Sequence, residues 1–176
     1  SMVKTILSLD KQFKITCTSR NGNMNSFEFN IENGLLNLER ILDSGEGYDF
    51  IINCIGVLNN EINERDSASV DRAIIINASF PHQLSFLAKK YDAKVIQIST
   101  DGVYNKDSGI CSELVPSNCN DIYGLTKRLG EVKSLNYLNI RCSIIGPSYS
   151  NKKGLFEWFL AQSKNAEVIG YSNQMW

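Results

Sequence analysis

Residues 94–104 read Lys94-Val95-Ile96-Gln97-Ile98-Ser99-Thr100-Asp101-Gly102-Val103-Tyr104. The first six residues form a mostly apolar, β-branched run that is typical of a strand, and the hydroxyl of Thr100 follows at its end. Residues 101–120 are rich in Gly, Ser, Asn and Asp. A loop of that length usually has a role at an active site. The sequence therefore predicts a strand that ends in a functional loop.

Strand and helix patterns alternate along the rest of the chain. Apolar runs predict further strands over residues 13–18, 26–30, 48–55 and 138–143. Apolar residues at helical spacing predict helices over 35–44, 67–91, 121–134 and 154–164, the second of them interrupted at Pro81. The run over 48–55 is continuously apolar, as in a strand buried on both faces. This alternation indicates an α/β protein with a parallel sheet.

Tyr123 and Lys127 carry the chemistry of the helix predicted over 121–134. Four residues apart, they lie one above the other on the same helical face. A phenol has a pKa of roughly 10, and a fixed ammonium one helical turn away stabilises its phenolate. The pair therefore suits proton transfer, and Thr100 can hydrogen-bond a substrate oxygen beside the phenol. The apolar stripe of this helix uses other positions, which fits a helix with a second face on a cleft: Ile122, Leu125, Leu129 and Val132.

Taken together, the motifs resemble the extended branch of the short-chain dehydrogenase/reductase superfamily, and within it the dTDP-4-dehydrorhamnose reductases. A Tyr-x-x-x-Lys pair alone is a weak signal, because many helices contain one by chance. The resemblance rests on several pieces in the right order: Ile52-Asn53-Cys54-Ile55-Gly56, Asn77, Ser99-Thr100-Asp101-Gly102-Val103-Tyr104, Glu113, Pro116, Tyr123-Gly124-Leu125-Thr126-Lys127, Gly130-Glu131 and Ile140-Arg141. It implies a Rossmann-like α/β fold with a doubly wound parallel sheet.

The resemblance also implies a role for each candidate residue. Tyr123 is expected to give its proton to a substrate carbonyl as hydride arrives from the nicotinamide, Thr100 to orient that carbonyl, and Lys127 to hold the nicotinamide ribose. An arginine at position 20 can pair with the extra phosphate of NADP, whereas an acidic residue there would favour NAD. NADP(H) is therefore favoured, and NAD(H) stays open. The full set of expected cofactor contacts is Arg20, Cys54, Ile55, Gly56, Asn77, Ser99, Tyr123 and Lys127.

The function implied by the resemblance is NAD(P)H-dependent reduction of a nucleotide-linked 4-keto-deoxysugar in surface polysaccharide biosynthesis. The related 4,6-dehydratases carry Asp-Glu after the threonine, whereas Asp101-Gly102 here lacks the extra acid that elimination of water needs. Simple reduction requires only Thr100, Tyr123, Lys127 and a hydride. Two alternatives stay open: a nucleotide-sugar epimerase and a non-catalytic, NADP-binding regulatory subunit.

Compared with this family, the sequence lacks recognisable segments at both ends. A dinucleotide fold opens with a strand and a Gly-rich turn that receives the pyrophosphate at a helix N-terminus. The sequence shows neither, and residues 1–7 instead resemble the helix that follows such a turn. Omission of that strand would leave two unpaired sheet edges. The expected organisation is an incomplete NAD(P)-binding domain over residues 1–165 and the start of a substrate-binding lobe over 166–176, in an internal fragment, a trimmed chain or a natural short form.

Composition argues against several other classes of protein. With 176 residues, 43% hydrophobic content and a net charge of −1, the chain is typical of a globular domain and gives no reason to expect a nucleic-acid partner. No apolar stretch reaches the roughly 20 residues of a membrane-spanning helix. Five cysteines without a C-x-x-C pair argue against a disulfide framework and a zinc site. We therefore expect a cytoplasmic protein without a metal, whose partner is a nucleotide-linked sugar; the superfamily leaves a homodimer open.

Overall fold

The structure is a computed structural model that describes residues 9–10, 12–45, 47–105, 108–146 and 155–168. Within these ranges, strands and helices alternate as predicted. The strands are β1 Thr18–Ser19, β2 Phe27–Glu28, β3 Phe50–Asn53, β4 Lys94–Ile98 and β5 Tyr137–Ile140. The helices are α1 Leu36–Ser44, α2 Ser67–Ala73, α3 Phe80–Lys90, α4 Ile122–Leu129 and α5 Leu155–Leu160. The helix expected over residues 1–7 lies outside the described part of the chain.

The strands form two parallel sheets. In the larger one, β4 lies between β3 and β5, with Ile96 opposite both Ile52 and Leu138. In the smaller one, β1 pairs with β2 over two residues only. The strand predicted over 13–18 is therefore mostly irregular, because β2 is the one neighbour it pairs with among the described residues.

Strand β3 is an edge strand in the described part of the chain, with β4 on one side. As a result Phe50 is 54% exposed, and Ile51 and Ile52 are half-buried. The prediction that residues 48–55 are buried on both faces was wrong, since such burial requires cover from neighbouring elements on both sides.

A single helical path runs from α2 to α3 through a π-helical segment, Ile74–Ser79. The Phe80 N–H donates to the carbonyl of Ile75, five residues back, as this wider helix requires. Pro81 follows as the second residue of α3. The interruption predicted at Pro81 thus takes the form of a π-helical turn just before it, and not of a break at the proline.

The core lies between one face of the larger sheet and helices α1 and α3, together with the π-helical segment. It contains Leu38 and Leu42 of α1, Phe80 and Leu84 on the helical path, and Val95 of β4. On the opposite face of the sheet, Leu138 is 56% exposed and Ile140 is 39% exposed. No helix among the described residues combines the length and apolar character needed to cross a membrane.

Helix α4 packs against the π-helical segment and against the 3₁₀ turn Asp101–Val103. Its buried residues are Gly124, Thr126 and Lys127, whereas Leu125 is 40% exposed and Leu129 is 63% exposed. The apolar stripe expected on this helix is therefore not its buried face. Small and polar residues take that place because the surfaces they meet are backbone and polar side chains.

Candidate active site

Thr100 lies just beyond the carboxyl end of β4 and is 8% exposed. Its Oγ1 accepts a hydrogen bond from the Gly102 N–H at 3.0 Å, which caps the turn Asp101–Val103. The hydroxyl proton points toward Asp101 Oδ1 at 3.4 Å, a long contact for an O–H donor. The hydrogen bond from Gly102 therefore fixes the Thr100 side chain, whereas the hydroxyl makes only a weak hydrogen bond as a donor.

Tyr123 stands in the first turn of α4, beside Thr100. The carboxylate of Asp121 accepts from the Gly124 N–H at 2.8 Å and so begins the helix. A Cβ placed on Gly102 would lie 3.2 Å from Thr100 Oγ1 and 3.3 Å from Tyr123 Cε1. The hydroxyl of Thr100 and the ring of Tyr123 therefore flank residue 102, and their action on one substrate oxygen stays a prediction.

Lys127 follows one helical turn later and is 8% exposed. Its Nζ donates to the Ile98 carbonyl at 2.8 Å, at the last residue of β4. Burial lowers the pKa of Lys127, and the nearby Glu131 carboxylate offsets part of that effect. The ammonium also borders the loop after β3, because a Cβ on Gly56 would lie 3.8 Å from Nζ. Lys127 thus lies between the end of β4 and the loop after β3, at the carboxyl edge of the sheet.

Asn77 braces the loop that contains Gly56. Its Oδ1 accepts from the Val57 N–H at 2.8 Å, and its Nδ2 donates to the Val57 carbonyl at 3.0 Å and to Thr126 Oγ1 at 3.3 Å. Asn77 is 2% exposed. The amide is therefore satisfied within the protein, and a direct contact with a cofactor stays a prediction.

Ser99 also directs its hydroxyl into the protein. It donates to Glu131 Oε1 at 2.8 Å and is 5% exposed. As with Asn77, the side chain stands behind the groups that face the cleft. Its contact with a cofactor stays a prediction.

A cavity of about 240 Å³, which we call the Arg20 cavity, collects the remaining candidates. Arg20, Cys54, Ile55 and Gly56 all line it. Gly56 is shared with the surroundings of Lys127, so the cavity and the group of Thr100, Tyr123 and Lys127 are neighbours. The five cysteines are free thiols.

Sequence reasoning missed two pairs of residues near the site. Arg72 lines the Arg20 cavity, and its Nε donates to Glu32 Oε1 at 2.9 Å, which lowers the pKa of Glu32. Arg141 holds Glu131 through two hydrogen bonds of 2.8 and 2.6 Å. The second pair had a signal, because Glu131 and Arg141 both stood within the family-like motifs. Within the described ranges, no group of side chains is suited to hold a metal ion.

Comparison with protein families decides the identity of the chain. Residues 9–163 match the model of the RmlD substrate binding domain. The chain belongs to this family. No curated relative matches it. The match covers every candidate residue described above, from Arg20 to Lys127.

Solved structures agree with this RmlD-family assignment. A hypothetical dTDP-4-dehydrorhamnose reductase from Sulfolobus tokodaii has a TM-score of 0.64 and 23% identity over 79% of this chain and 50% of its own. The dTDP-4-dehydrorhamnose reductase of Clostridium acetobutylicum has a TM-score of 0.57 and 25% identity over 73% and 52% of the two chains. The enzyme of Bacillus anthracis, solved with NADP, has a TM-score of 0.57 and 21% identity over 73% and 54%. The chain thus spans about half the length of these structures, and the predicted Rossmann-like α/β fold is confirmed.

Proposed function

We propose that the protein is an NAD(P)H-dependent reductase of a nucleotide-linked 4-keto-deoxysugar, active in the cytoplasm in surface polysaccharide biosynthesis. The observation that carries the proposal is the convergence of Thr100, Tyr123 and Lys127 at the carboxyl edge of a parallel sheet, where open α/β folds bind their ligands. Membership of the RmlD family and the likeness to reductase structures support the same substrate class.

The residues of the Arg20 cavity fit the adenosine end of a nicotinamide cofactor. Arg20 and Arg72 bring two guanidinium groups to it, and guanidinium is suited to phosphate through paired N–H donors. Gly56 leaves the backbone open to close approach. NADPH is therefore the proposed cofactor, with its extra phosphate beside Arg20.

In the proposed reaction, Tyr123 gives its phenol proton to the keto oxygen, which becomes a hydroxyl. The chemistry that a dihydronicotinamide cofactor would supply at this site is the hydride for the keto carbon. Thr100 donates its hydroxyl proton to the same keto oxygen. This proton is free to do so because Thr100 Oγ1 lies 3.4 Å from Asp101 Oδ1, a long distance for a hydrogen bond. Lys127 would hold the ribose of the cofactor, one helical turn from the Tyr123 phenol. In this proposal Thr100 orients the carbonyl, and Tyr123 supplies the proton that the product hydroxyl requires.

Gly102 supports reduction over elimination of water. A side chain there would begin about midway between Thr100 and Tyr123, at 3.2 and 3.3 Å from their nearest atoms. A side chain at this position would have to shift these neighbours by a few tenths of an ångström, and glycine supplies no acid there. The site therefore has room for the three groups that reduction needs, without a further acid at residue 102.

The test is a panel of nucleotide-linked 4-keto-deoxysugars incubated with the protein at its natural length and NADPH. We expect oxidation of NADPH together with formation of the corresponding 4-hydroxy sugar, identified by NMR. A stereoisomer formed without net oxidation of NADPH would instead indicate an epimerase. Binding of NADPH without conversion of any sugar, together with co-purification of a partner enzyme, would indicate a regulatory subunit.

A further inference from the structure

A half-buried carboxylate lies directly behind the proposed catalytic residues. Glu131 accepts hydrogen bonds from Ser99 Oγ at 2.8 Å, from Arg141 Nε at 2.8 Å and from Arg141 Nη2 at 2.6 Å. The side chains of Glu131 and Arg141 are 12% and 26% exposed. Paired bonds of this kind fix orientation as well as distance. Burial opposes ionisation of Glu131, but its hydrogen bonds with Arg141 and Ser99 outweigh burial and lower its pKa.

The same arginine reaches the long loop that follows Thr100. Arg141 Nη1 donates to the hydroxyl oxygen of Tyr104, and its guanidinium lies 5.2 Å from the centre of the Tyr104 ring. The Tyr104 hydroxyl in turn lies 3.0 Å from the Ser112 carbonyl and 3.3 Å from the Val115 carbonyl, with one proton shared between them. One guanidinium therefore connects the carboxylate to both the near and the far side of this loop.

The hydrogen bonds of Glu131 and Arg141 reach the segments that contain the proposed catalytic residues. Ser99 is covalently joined to Thr100, and Tyr104 follows the turn that Thr100 caps. Glu131 follows Lys127 by four residues, just past the end of α4. The proposed cofactor contacts of the Arg20 cavity are not part of this set. We call the connected group of Ser99, Glu131, Arg141 and Tyr104 the Glu131 clasp.

We propose that Glu131 is a positioning residue: through Ser99 and through Arg141 and Tyr104, it holds Thr100 and the loop residues 108–118 in register with Tyr123. The inference rests on the proposed reductase function for its kinetic consequence. Its structural consequence, an ordered loop, is independent of that function.

Three variants separate this role from general stabilisation. Glu131→Gln keeps an acceptor for Ser99 but removes the charge that pairs with Arg141. Arg141→Lys keeps a positive charge near Glu131 but removes the planar fork, and so cannot bind Glu131 and Tyr104 together. Tyr104→Phe keeps the ring beside the guanidinium and removes the hydroxyl, which accepts from Arg141 and contacts the Ser112 and Val115 carbonyls. It serves if the other variants fold poorly. The matched control is Asp49→Asn, which neutralises an exposed carboxylate at the amino end of β3, away from the proposed site.

The measurements are kcat and KM with NADPH and the active sugar nucleotide, and amide hydrogen exchange over residues 108–118. We expect Glu131→Gln to lower kcat about 10- to 100-fold, as displacement of a reacting group by about 1 Å would, without change in the dissociation constant for NADPH. Arg141→Lys should not restore kcat, and Tyr104→Phe should speed exchange in the loop. Asp49→Asn should match the wild type in both measurements.

Wild-type kcat in Glu131→Gln would overturn the proposal, because catalysis would then not need the charged pair with Arg141. Full activity in Arg141→Lys would overturn it as well, because only charge balance would be left as a role. Unchanged exchange over 108–118 in both Glu131→Gln and Tyr104→Phe would also overturn it. If the wild type itself reduces no sugar, the proposed function fails, and the exchange comparison still decides whether the clasp orders the loop.

Discussion

Lys127 is buried, yet its proposed task requires a charged ammonium. Its Nζ bonds to the Ile98 carbonyl, and burial lowers its pKa. The unfolded chain therefore binds this proton more tightly than the folded chain does. Since linkage makes that difference a loss of folding free energy, the protonated lysine costs stability at neutral pH. At this residue the requirements of function and stability conflict.

We expect Lys127→Met to abolish turnover without loss of stability. The Ile98 carbonyl keeps a second donor, the Gln97 amide at 3.2 Å, so the substitution leaves no carbonyl without a partner. Removal of the buried charge should raise the unfolding free energy by on the order of 1 kcal/mol, which is about 2–4 °C in melting temperature for a chain of this size. Thermal unfolding at neutral pH measures this directly. A Lys127→Met variant clearly less stable than the wild type would contradict the claim that the buried charge lowers the free energy of unfolding.

The same cost predicts a pH dependence. Wild-type stability should rise as the pH rises from the lowered pKa of Lys127 to its ordinary value of roughly 10.4, because in this range the folded chain has lost the proton while the unfolded chain still binds it. Lys127→Met should lack this rise. Unfolding curves of both proteins from neutral to alkaline pH provide the comparison. If the free energy of unfolding changes with pH in the same way for both, Lys127 does not cause the rise.

Among the elements, α4 depends most on a close backbone contact. A Cβ on Gly124 would lie 2.5 Å from the Gly102 carbonyl oxygen and 2.6 Å from Cys119 Cβ. Neither backbone nor a Cβ can move away cheaply. The glycine beside Tyr123 therefore lets the helix approach the turn that follows Thr100.

We expect Gly124→Ala to destabilise the protein by about 1–3 kcal/mol, as overpacking does. The sign is informative, because the same change in an open helix stabilises by about 1 kcal/mol. It should also lower kcat, since Tyr123 must shift with the helix. Gly146→Ala is the control, because a Cβ there meets nothing within 4 Å. Chemical denaturation of both variants gives the free energies, and a stabilised Gly124→Ala would refute the close contact.

The sequence predicted elements well where local pattern decides them. Strand β4 was expected over 94–99 and occupies Lys94–Ile98, and α1 ends at Ser44, just before Gly45. The buried face of α4 could not be predicted in this way. An apolar stripe identifies the core face only when a helix packs on apolar neighbours, and α4 instead packs through Gly124, Thr126 and Lys127. The strand expected over 13–18 was shortened for a different reason, because a strand needs partners that local sequence does not reveal.

At the scale of the whole molecule, the candidate site forms where distant segments meet. Thr100, Tyr123 and Lys127 were found from sequence because motif spacing indicates them. Arg72 was not, because its place beside Arg20 in the cavity depends on how α2 packs near the smaller sheet. Its pairing with Glu32, 40 residues away in sequence, likewise follows from packing alone.

We expect Arg20→Gln to weaken binding of NADPH about 10-fold or more while affecting NADH little. A charge-assisted hydrogen bond contributes about 1.5–3 kcal/mol, and only NADPH carries the phosphate that Arg20 would contact. Arg40→Gln, on the exposed surface of α1, is the matched control. Fluorescence titration with both cofactors measures the ratio. Equal weakening of both would place Arg20 away from the extra phosphate.

The most direct test of the central claim, that Thr100, Tyr123 and Lys127 form a reductase site, is the turnover of Tyr123→Phe beside the wild type and a Tyr91→Phe control at the end of α3. Removal of one phenol oxygen leaves the ring against Gly102 and takes away only the proton donor. The account predicts that Tyr123→Phe oxidises no NADPH in the presence of the sugar nucleotide, binds NADPH nearly as well as the wild type, and is the only inactive protein of the three. Wild-type turnover by Tyr123→Phe would contradict it.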